Sequence, residues 1–429
     1  MSENIKLNHI CKVEGHADLA VKIAGGKLVK CELGAVEGAR FFEGLVVGRK
    51  WDELKEITSR ICGICSVAHC TASIKAVEDA FGMRPTKQTR ILREFLNIGE
   101  RIRSHATHLY MLSLPDFLGF ESAIGMASKH KQELERALHL IKLGNEIVTT
   151  LAGRQMHPVA AIVGGFTHVL TEEEVTHLKE VVRGARAAAI ETLKLFLSLE
   201  YPDMQRDVEH ICIYQKGRVP LIDGVVVSDH GLHVEPSDYG ALIEEYIQPY
   251  STAKFAVRDD KEYVLGALAR VNNTWDAVAP DIRALVKKSK HKFPSKNPFH
   301  NLIAQAVELA HWVDVGERLL DELDPEQEPA QEVKPKQGRG VGITEAPRGL
   351  LFHEYEFDED GVCTSCRIMT PTCQFLKAQE ADVRHYVQHL LGRGAAKEEI
   401  IFEIEKLIRA YDPCFSCSAH FLNVDWQES

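Results

Sequence analysis

Apolar positions recur every three to four residues from Gln88 to Leu114, over 127–152 and over 172–199, which predicts three long amphipathic helices. Pro115 is expected to end the first, because proline has no N–H to donate and its ring crowds the preceding turn. The same period returns at 239–250 and 298–323, and again in two helices at 376–391 and 396–410. The first ~50 residues read instead as strands and turns. There "LAVKIAGGKLVKCEL" alternates apolar and polar positions about Gly25-Gly26, which predicts a hairpin. "GLLFHEYEF" and "VCTSCRIM" read as paired strands, and "GVVVS" as a short strand within the mixed region 205–236. The stretch "DELDPEQEPAQEVKPKQGRGVG", 321–342, has no apolar period and is rich in charge, proline and glycine, so it reads as a linker or an exposed loop.

Composition narrows the classes. The 429 residues are 45% hydrophobic and 26% charged, ordinary for a soluble globular chain with one large core or several smaller ones. A net charge of −11 argues against a general nucleic-acid binder, which needs a basic face. No apolar run approaches the ~18 residues of a membrane helix. The opening "MSENIKLNHICKVEGH" lacks the charged-then-apolar pattern of an export signal. Eleven cysteines, an odd number in a large chain, fit a reducing compartment and metal binding better than a disulfide framework.

Three of those cysteines fall in "SRICGICSVAHC", 59–70. Cys62-Gly63-Ile64-Cys65 is followed by His69, and Cys414-Phe415-Ser416-Cys417 by His420. Two intervening residues let both sulfurs of a pair turn to one side and grip one ion. Two such pairs offer four thiolates, suited to a structural zinc or an iron–sulfur centre. Small zinc sites bring their halves within a few tens of residues, whereas these pairs stand 352 residues apart.

"RICGICSVAH" and "DPCFSCSAH" resemble the two signature motifs of nickel–iron hydrogenase large subunits. The resemblance runs through the chain in order: "KVEGH" at 12–16, "RFFEG" at 40–44, "GRQMHP" with "GG" at 153–165, "EAPRG" at 345–349 and "TPT" at 370–372. It implies a large α+β fold, a central bundle of long helices with small peripheral β-sheets. It implies one domain, with a β-rich part (1–50), a helical core (51–323), an exposed loop (324–342), a C-terminal α/β part (343–420) and a tail (421–429) cut off in maturation.

The resemblance also implies a nickel–iron centre whose iron carries CO and cyanide. Cys62 and Cys414 would be terminal nickel ligands, and Cys65 and Cys417 would bridge the metals. Thiolates suit a soft, redox-active metal. Hydrogen is split heterolytically, so a base must take a proton: Cys414 itself, passing it to Glu14, or Arg348 of "EAPRG". Arginine is a poor base at its ordinary pKa, so its implied role is to hold hydrogen and donate to a cyanide. Asp412 is the carboxylate of this canopy, where "SHATHLY" has Ser104 in place of an aspartate found in many membrane-bound members. Thr372 and Pro347 would line the diatomic ligands, and His69 would support a thiolate from outside the metal shell. A magnesium ion would be held by Glu43, the backbone carbonyl of Ile368 and His420. Cys363, Cys366 and Cys373 match no signature and read as packing thiols.

The Ser104 pattern and "RFFEG" resemble the cytoplasmic, cofactor-coupled group. Expected partners are an iron–sulfur small subunit, further flavin or iron–sulfur electron-transfer subunits, and a maturation endopeptidase. Neither nucleic acid nor a membrane span is expected. The competing readings are a hydrogen-sensing or electron-bifurcating member, a metal-free relative of respiratory-complex type, and a structural-zinc interaction protein.

Overall fold

The computed structural model describes residues 2–7, 10–38, 40–323 and 328–419. Strands β1 (Ser2–Leu7), β2 (Ala17–Ala24) and β3 (Lys27–Ala35) form an antiparallel meander. Its tight turn is Gly25-Gly26, both at positive φ, as the alternating pattern predicts. The helices follow: α1 (Ser66–Phe81), α2 (Lys87–Thr107), α3 (Lys131–Ala152) and α4 (Glu172–Ser198). Then come β4 (Glu209–Tyr214), β5 (Val225–Ser228), β6 (Glu244–Ile247) and β7 (Lys254–Val257), and the long helix α5 (Asn301–Glu322). A last antiparallel sheet of β8 (Gly338–Ala346), β9 (Gly349–Phe357) and β10 (Cys363–Met369) leads into α6 (Pro371–Gly392) and α7 (Lys397–Ala410). α2 packs between α3 and α5, and α5 packs on α4, so the long helices are the centre and the sheets the periphery.

Three sequence expectations need correction. Pro115 does not end the helical path: after α2 the chain makes a wide π-type turn, His108–Ser113, and resumes as a short helix, Leu114–Leu118. Proline is tolerated there because the first-turn N–H has no helical partner to lose. Residues 239–250 are not a helix. One turn at Pro236–Tyr239 gives way to β6, which pairs with β7. Helical and extended patterns are hard to separate in so short a run. The stretch 51–323 is therefore not wholly helical, and the loop assigned to 324–342 ends at residue 337, where β8 begins.

The glycines that made "GRGVG" look like a loop are contact surface. β8 lies directly against α1, with Gly338, Gly340 and Gly342 facing Ala80, Ala76 and Ala72. A Cβ at Gly338 would stand 2.7 Å from the Ala80 carbonyl oxygen, and one at Gly340 or Gly342 would overlap the Ala76 or Ala72 carbonyl. Period-two glycines thus slot onto period-four alanines, and strand and helix meet closer than side chains permit. Gly342→Ala is expected to cost about 3 kcal/mol or more by forcing the two apart. A thermal unfolding midpoint equal to that of the parent protein would refute this contact.

Candidate metal centre

The seam between α1 and β8 delivers the site. Cys65 occupies the N-cap position of α1, and Cys62 lies in extended conformation just before it. From the other end of the chain Cys414 leads into a short helix, Phe415–Ser418. The Cys62 and Cys414 sulfurs lie 3.6 Å apart, those of Cys65 and Cys417 3.4 Å apart, and all four fall within 4.8 Å of one another. At a metal–sulfur distance of about 2.3 Å, a pair so spaced subtends roughly 100° at a shared ion, close to tetrahedral. The Cys414 and Cys417 sulfurs are in direct contact and Cys62 and Cys65 are free thiols; a four-thiolate centre uses all four in reduced form.

The surroundings are dry. Ile61, Ala68, Ala72, Ala346, Leu351 and Ile368 enclose the sulfurs in a buried apolar cluster separate from the main core. The hydrogen bond from Cys65 holds Cys62 below the ordinary thiol range, against the opposing effect of burial, and Cys65 is pushed up. Arg40 joins the two motifs by donating to the carbonyls of Ile61, at 2.9 Å, and Ser416.

Over the sulfurs stands a hairpin tip. Ala346 pairs with Gly349 across the β8–β9 turn, so Pro347 and Arg348 are its two loop residues, thrust into the protein. Arg348 donates from Nε to the Asp412 carbonyl at 2.8 Å, and its Nη2 meets Asp412 Oδ1 at 2.9 Å. Its Nη1, buried, has no partner among the described residues. Burial pulls the Arg348 pKa down, but Asp412 and the neighbouring thiols outweigh it and hold it above its ordinary value. Arg348 thus stays charged. Asp412 sits at φ 55°, a left-handed conformation that aspartate tolerates, and Gln305 donates to its Oδ2 at 3.0 Å. Thr372 accepts from the Cys414 N–H at 2.9 Å, which leaves its own hydroxyl proton to donate. A buried guanidinium nitrogen and a buried threonine hydroxyl are thus two donors available at the edge of the sulfur pocket.

Glu14 meets Cys414 directly. The Cys414 Sγ lies 3.0 Å from Glu14 Oε2, Ser416 Oγ donates to Oε1, and the Ser416 N–H reaches Oε2 at 3.3 Å. The two strands of chain form a parallel bridge there, closed by Phe415 N–H donating to the Glu14 carbonyl at 2.9 Å. Gly15 at φ 80° permits it, since a Cβ would stand 2.7 Å from the Ser416 nitrogen.

The remaining residues are less direct. His69 hydrogen-bonds His353 at 3.1 Å, and His353 in turn meets the Tyr355 hydroxyl at 2.6 Å. Glu43 accepts the Ile368 N–H at 2.8 Å, and Lys254 Nζ lies 2.9 and 3.0 Å from its two oxygens. Glu245, the other nearby carboxylate, is bonded by Lys254 at 3.3 Å and by Arg367 at 2.7 Å. Two carboxylates facing two cations leave no surplus charge, so a divalent ion fits here only if Lys254 moves off Glu43. His420 lies outside the described residues, as does the tail, 421–429. Cys363 and Cys373 are buried, with thiols pushed up by burial to about 11 and about 12, and half-buried Cys366 is raised as well.

Sequence reading missed the support beneath Arg348. Arg270 uses all five donors: Nε and Nη2 on Glu308, Nη1 on Glu345 and the Ala346 carbonyl, and Nη2 again on the Pro347 carbonyl. Arg101 joins Glu308 and the Glu345 carbonyl from α2. The signal was present in "ERIRSH", where charged residues crowd every face of one helix turn. It reads as a solvated surface, yet Glu100 through His105 are all buried. A surface cavity of about 780 Å³, lined by Arg84, Arg90, Arg218 and Asp223 among others, shares no residue with the sulfur pocket.

Four buried sulfurs converging from distant segments under a charged arginine define a thiolate site suited to a soft metal ion. The family described as nickel-dependent hydrogenase matches residues 40–140 and 244–420, and the chain belongs to it. Sulfhydrogenase 1 subunit alpha of Pyrococcus furiosus is 34% identical over 98% of both chains. NAD-reducing hydrogenase HoxS subunit beta of Cupriavidus necator is 27% identical over 98% of this chain and 96% of its own. The crystal structure of an NAD+-reducing [NiFe]-hydrogenase in the H2-reduced state superposes with a TM-score of 0.89 at 24% identity, over 97% of this chain and 99% of that one, and shares the α+β fold. The chain is the catalytic subunit of a hydrogenase, an oxidoreductase acting on hydrogen, and its family implies a nickel–iron centre.

Proposed function

We propose that Cys62, Cys65, Cys414 and Cys417 hold that centre and that Glu14 is the first proton station beyond it. The observation that carries this reading is the Glu14 carboxylate on the Cys414 sulfur, 3.0 Å away across 400 residues of chain. When bound, the centre splits H2 into two protons and two electrons. The chain's residues do the rest. The Cys414 sulfur holds the released proton and hands it to Glu14 Oε2. Arg348, anchored by Asp412, keeps a charged donor over the open side and, because it stays protonated, leaves the base role to sulfur and carboxylate. Pro347 fixes the hairpin tip, and Arg348 Nη1 and the Thr372 hydroxyl would be the donors for CO and cyanide ligands. Glu14→Gln removes the proton acceptor while keeping the shape. It is expected to lower hydrogen oxidation about 100-fold or more with nickel content and infrared CO and cyanide bands retained. An unchanged rate would remove Glu14 from the path.

Electrons need an outlet in a partner. Among the described residues the four-cysteine group is the one metal-ligand cluster of its kind, so an iron–sulfur small subunit is the receiver we infer, with flavin or iron–sulfur subunits beyond it. Half-exposed Met156 covers Gly63 of the first cysteine loop, and exposed Phe41, Leu45 and Val47 add apolar surface nearby in the sequence, a composition suited to an interface. Among the described residues no helix is long and apolar enough to cross a membrane. The many free cysteines favour the reducing cytoplasm. A magnesium ion on Glu43, Ile368 and His420 would have to displace Lys254 from Glu43. Elemental analysis giving one magnesium per nickel would carry it, and none would leave Lys254 as the cation there. Cleavage after His420 by an endopeptidase is tested by the mass of the active subunit. The metal-free reading is disfavoured by the four convergent cysteines, and the structural-zinc reading by family membership.

A further inference from the structure

α1 has an unusual start. The first N–H groups of a helix have no partner within it, and the N-cap side chain ordinarily accepts them. Here the N-cap is Cys65, which makes no side-chain cap, because its sulfur points into the quartet. Val67 and Ala68 are fully buried, so water does not serve in its place.

A foreign carboxylate takes over. Glu100 of α2 accepts the Val67 N–H at 2.6 Å on one oxygen and the Ala68 N–H at 3.1 Å on the other. Three residues further on, Arg103 donates to the Ile64 carbonyl at 2.9 Å, within the cysteine loop itself. Arg103 also holds the Gln155 carbonyl and Asn145 Oδ1, and lies 3.8 Å from Glu100. Burial pushes the Glu100 carboxyl up to about 7 against the pull of Arg103 and the two N–H groups. A carboxylate kept in so unfavourable a place needs a reason.

We propose that Glu100 and Arg103 are positioning residues for the Cys62–Cys65 loop, gripping it through the Ile64 carbonyl on one side of Cys65 and the Val67 and Ala68 N–H groups on the other. This rests on the nickel–iron reading. The pair does for Cys65 what a capping side chain does in an ordinary helix, and so frees the sulfur to be a ligand. Because the grip falls on backbone either side of Cys65, it sets the direction of that sulfur toward Cys417. Outer groups that fix metal ligands in this way are worth tenfold to a hundredfold in metal affinity or activity.

The test uses the intact hydrogenase complex carrying Glu100→Gln or Arg103→Lys, with Glu78→Gln as a control. Glu78 makes an equally buried two-bond pair with Arg93 between the same two helices, far along α1 from the sulfurs. The two loop variants are expected to move the infrared CO and cyanide bands and to lower kcat per nickel about tenfold or more, or to fold without retaining nickel. Glu78→Gln is expected to lower the unfolding midpoint and leave the bands in place. Unmoved bands with parental kcat at full nickel content in both loop variants would overturn the proposal, as would equal band shifts in Glu78→Gln. If one loop variant does not fold, the other decides. If neither folds, the pair is structural and the proposal fails. Absence of CO and cyanide bands from the parent complex would instead overturn the nickel–iron reading.

Discussion

Cys417→Ser is expected to yield a folded subunit with no assembled metal centre and no hydrogen uptake. Cys417 is buried, and its sulfur faces that of Cys65 at 3.4 Å with apolar side chains around both. Serine keeps the shape, but its hydroxyl oxygen is a hard donor that stays protonated near neutral pH, where a soft metal needs a thiolate. An unpartnered hydroxyl in that cluster costs about 1–3 kcal/mol, too little to unfold a chain of this size. Nickel and iron content, infrared bands and dye-linked hydrogen oxidation should therefore vanish while the circular dichroism spectrum holds. Full dye-linked activity in this variant would contradict the ligand assignment.

Arg348→Lys is expected to keep nickel and iron and to lose about 100-fold to 1000-fold in kcat, the range seen when one aimed donor is removed from a dry site. The arginine reaches Asp412 with two nitrogens and still has a third free. An ammonium is a single point: once bound to Asp412 it presents nothing of fixed direction to the pocket. Lysine also starts from a lower ordinary pKa than arginine, by about two units, so its charge falls away at a lower pH than the guanidinium's. The measurement is kcat per nickel against pH. A parental rate with a parental pH profile would show that charge near the pocket suffices and that the fork does not matter.

Much of the site was legible because its chemistry is written in contiguous words. Each cysteine pair, the Glu14 motif and "EAPRG" carry several roles within a few residues, so their spacing survives without a structure. The long helices were legible for a similar reason, since a 3.6-residue period accumulates over twenty positions. What escaped was everything whose meaning lies in a contact. The glycines of β8 look like a linker until α1 is laid against them. Arg270 and Glu308 lie far apart in sequence, and neither announces that it carries the hairpin beneath Arg348. α2 is polar enough to be read as surface, yet its charges face carbonyls and N–H groups of other segments. Ion pairs and backbone anchors depend on which elements meet, and local periodicity does not record that. The 239–250 stretch failed for want of length, because a dozen residues hold too few turns to separate a helix from a strand.

The two cysteine pairs stand 352 residues apart and their sulfurs touch. Whatever ion spans them ties the chain into a loop of that size. A covalent tie of such length removes about 6 kcal/mol of conformational freedom from the unfolded ensemble. Loaded protein should then withstand more heat and denaturant than the empty chain, which folds but unfolds at a lower midpoint. Bound nickel and iron would be the clasp of the whole polypeptide as well as its catalyst.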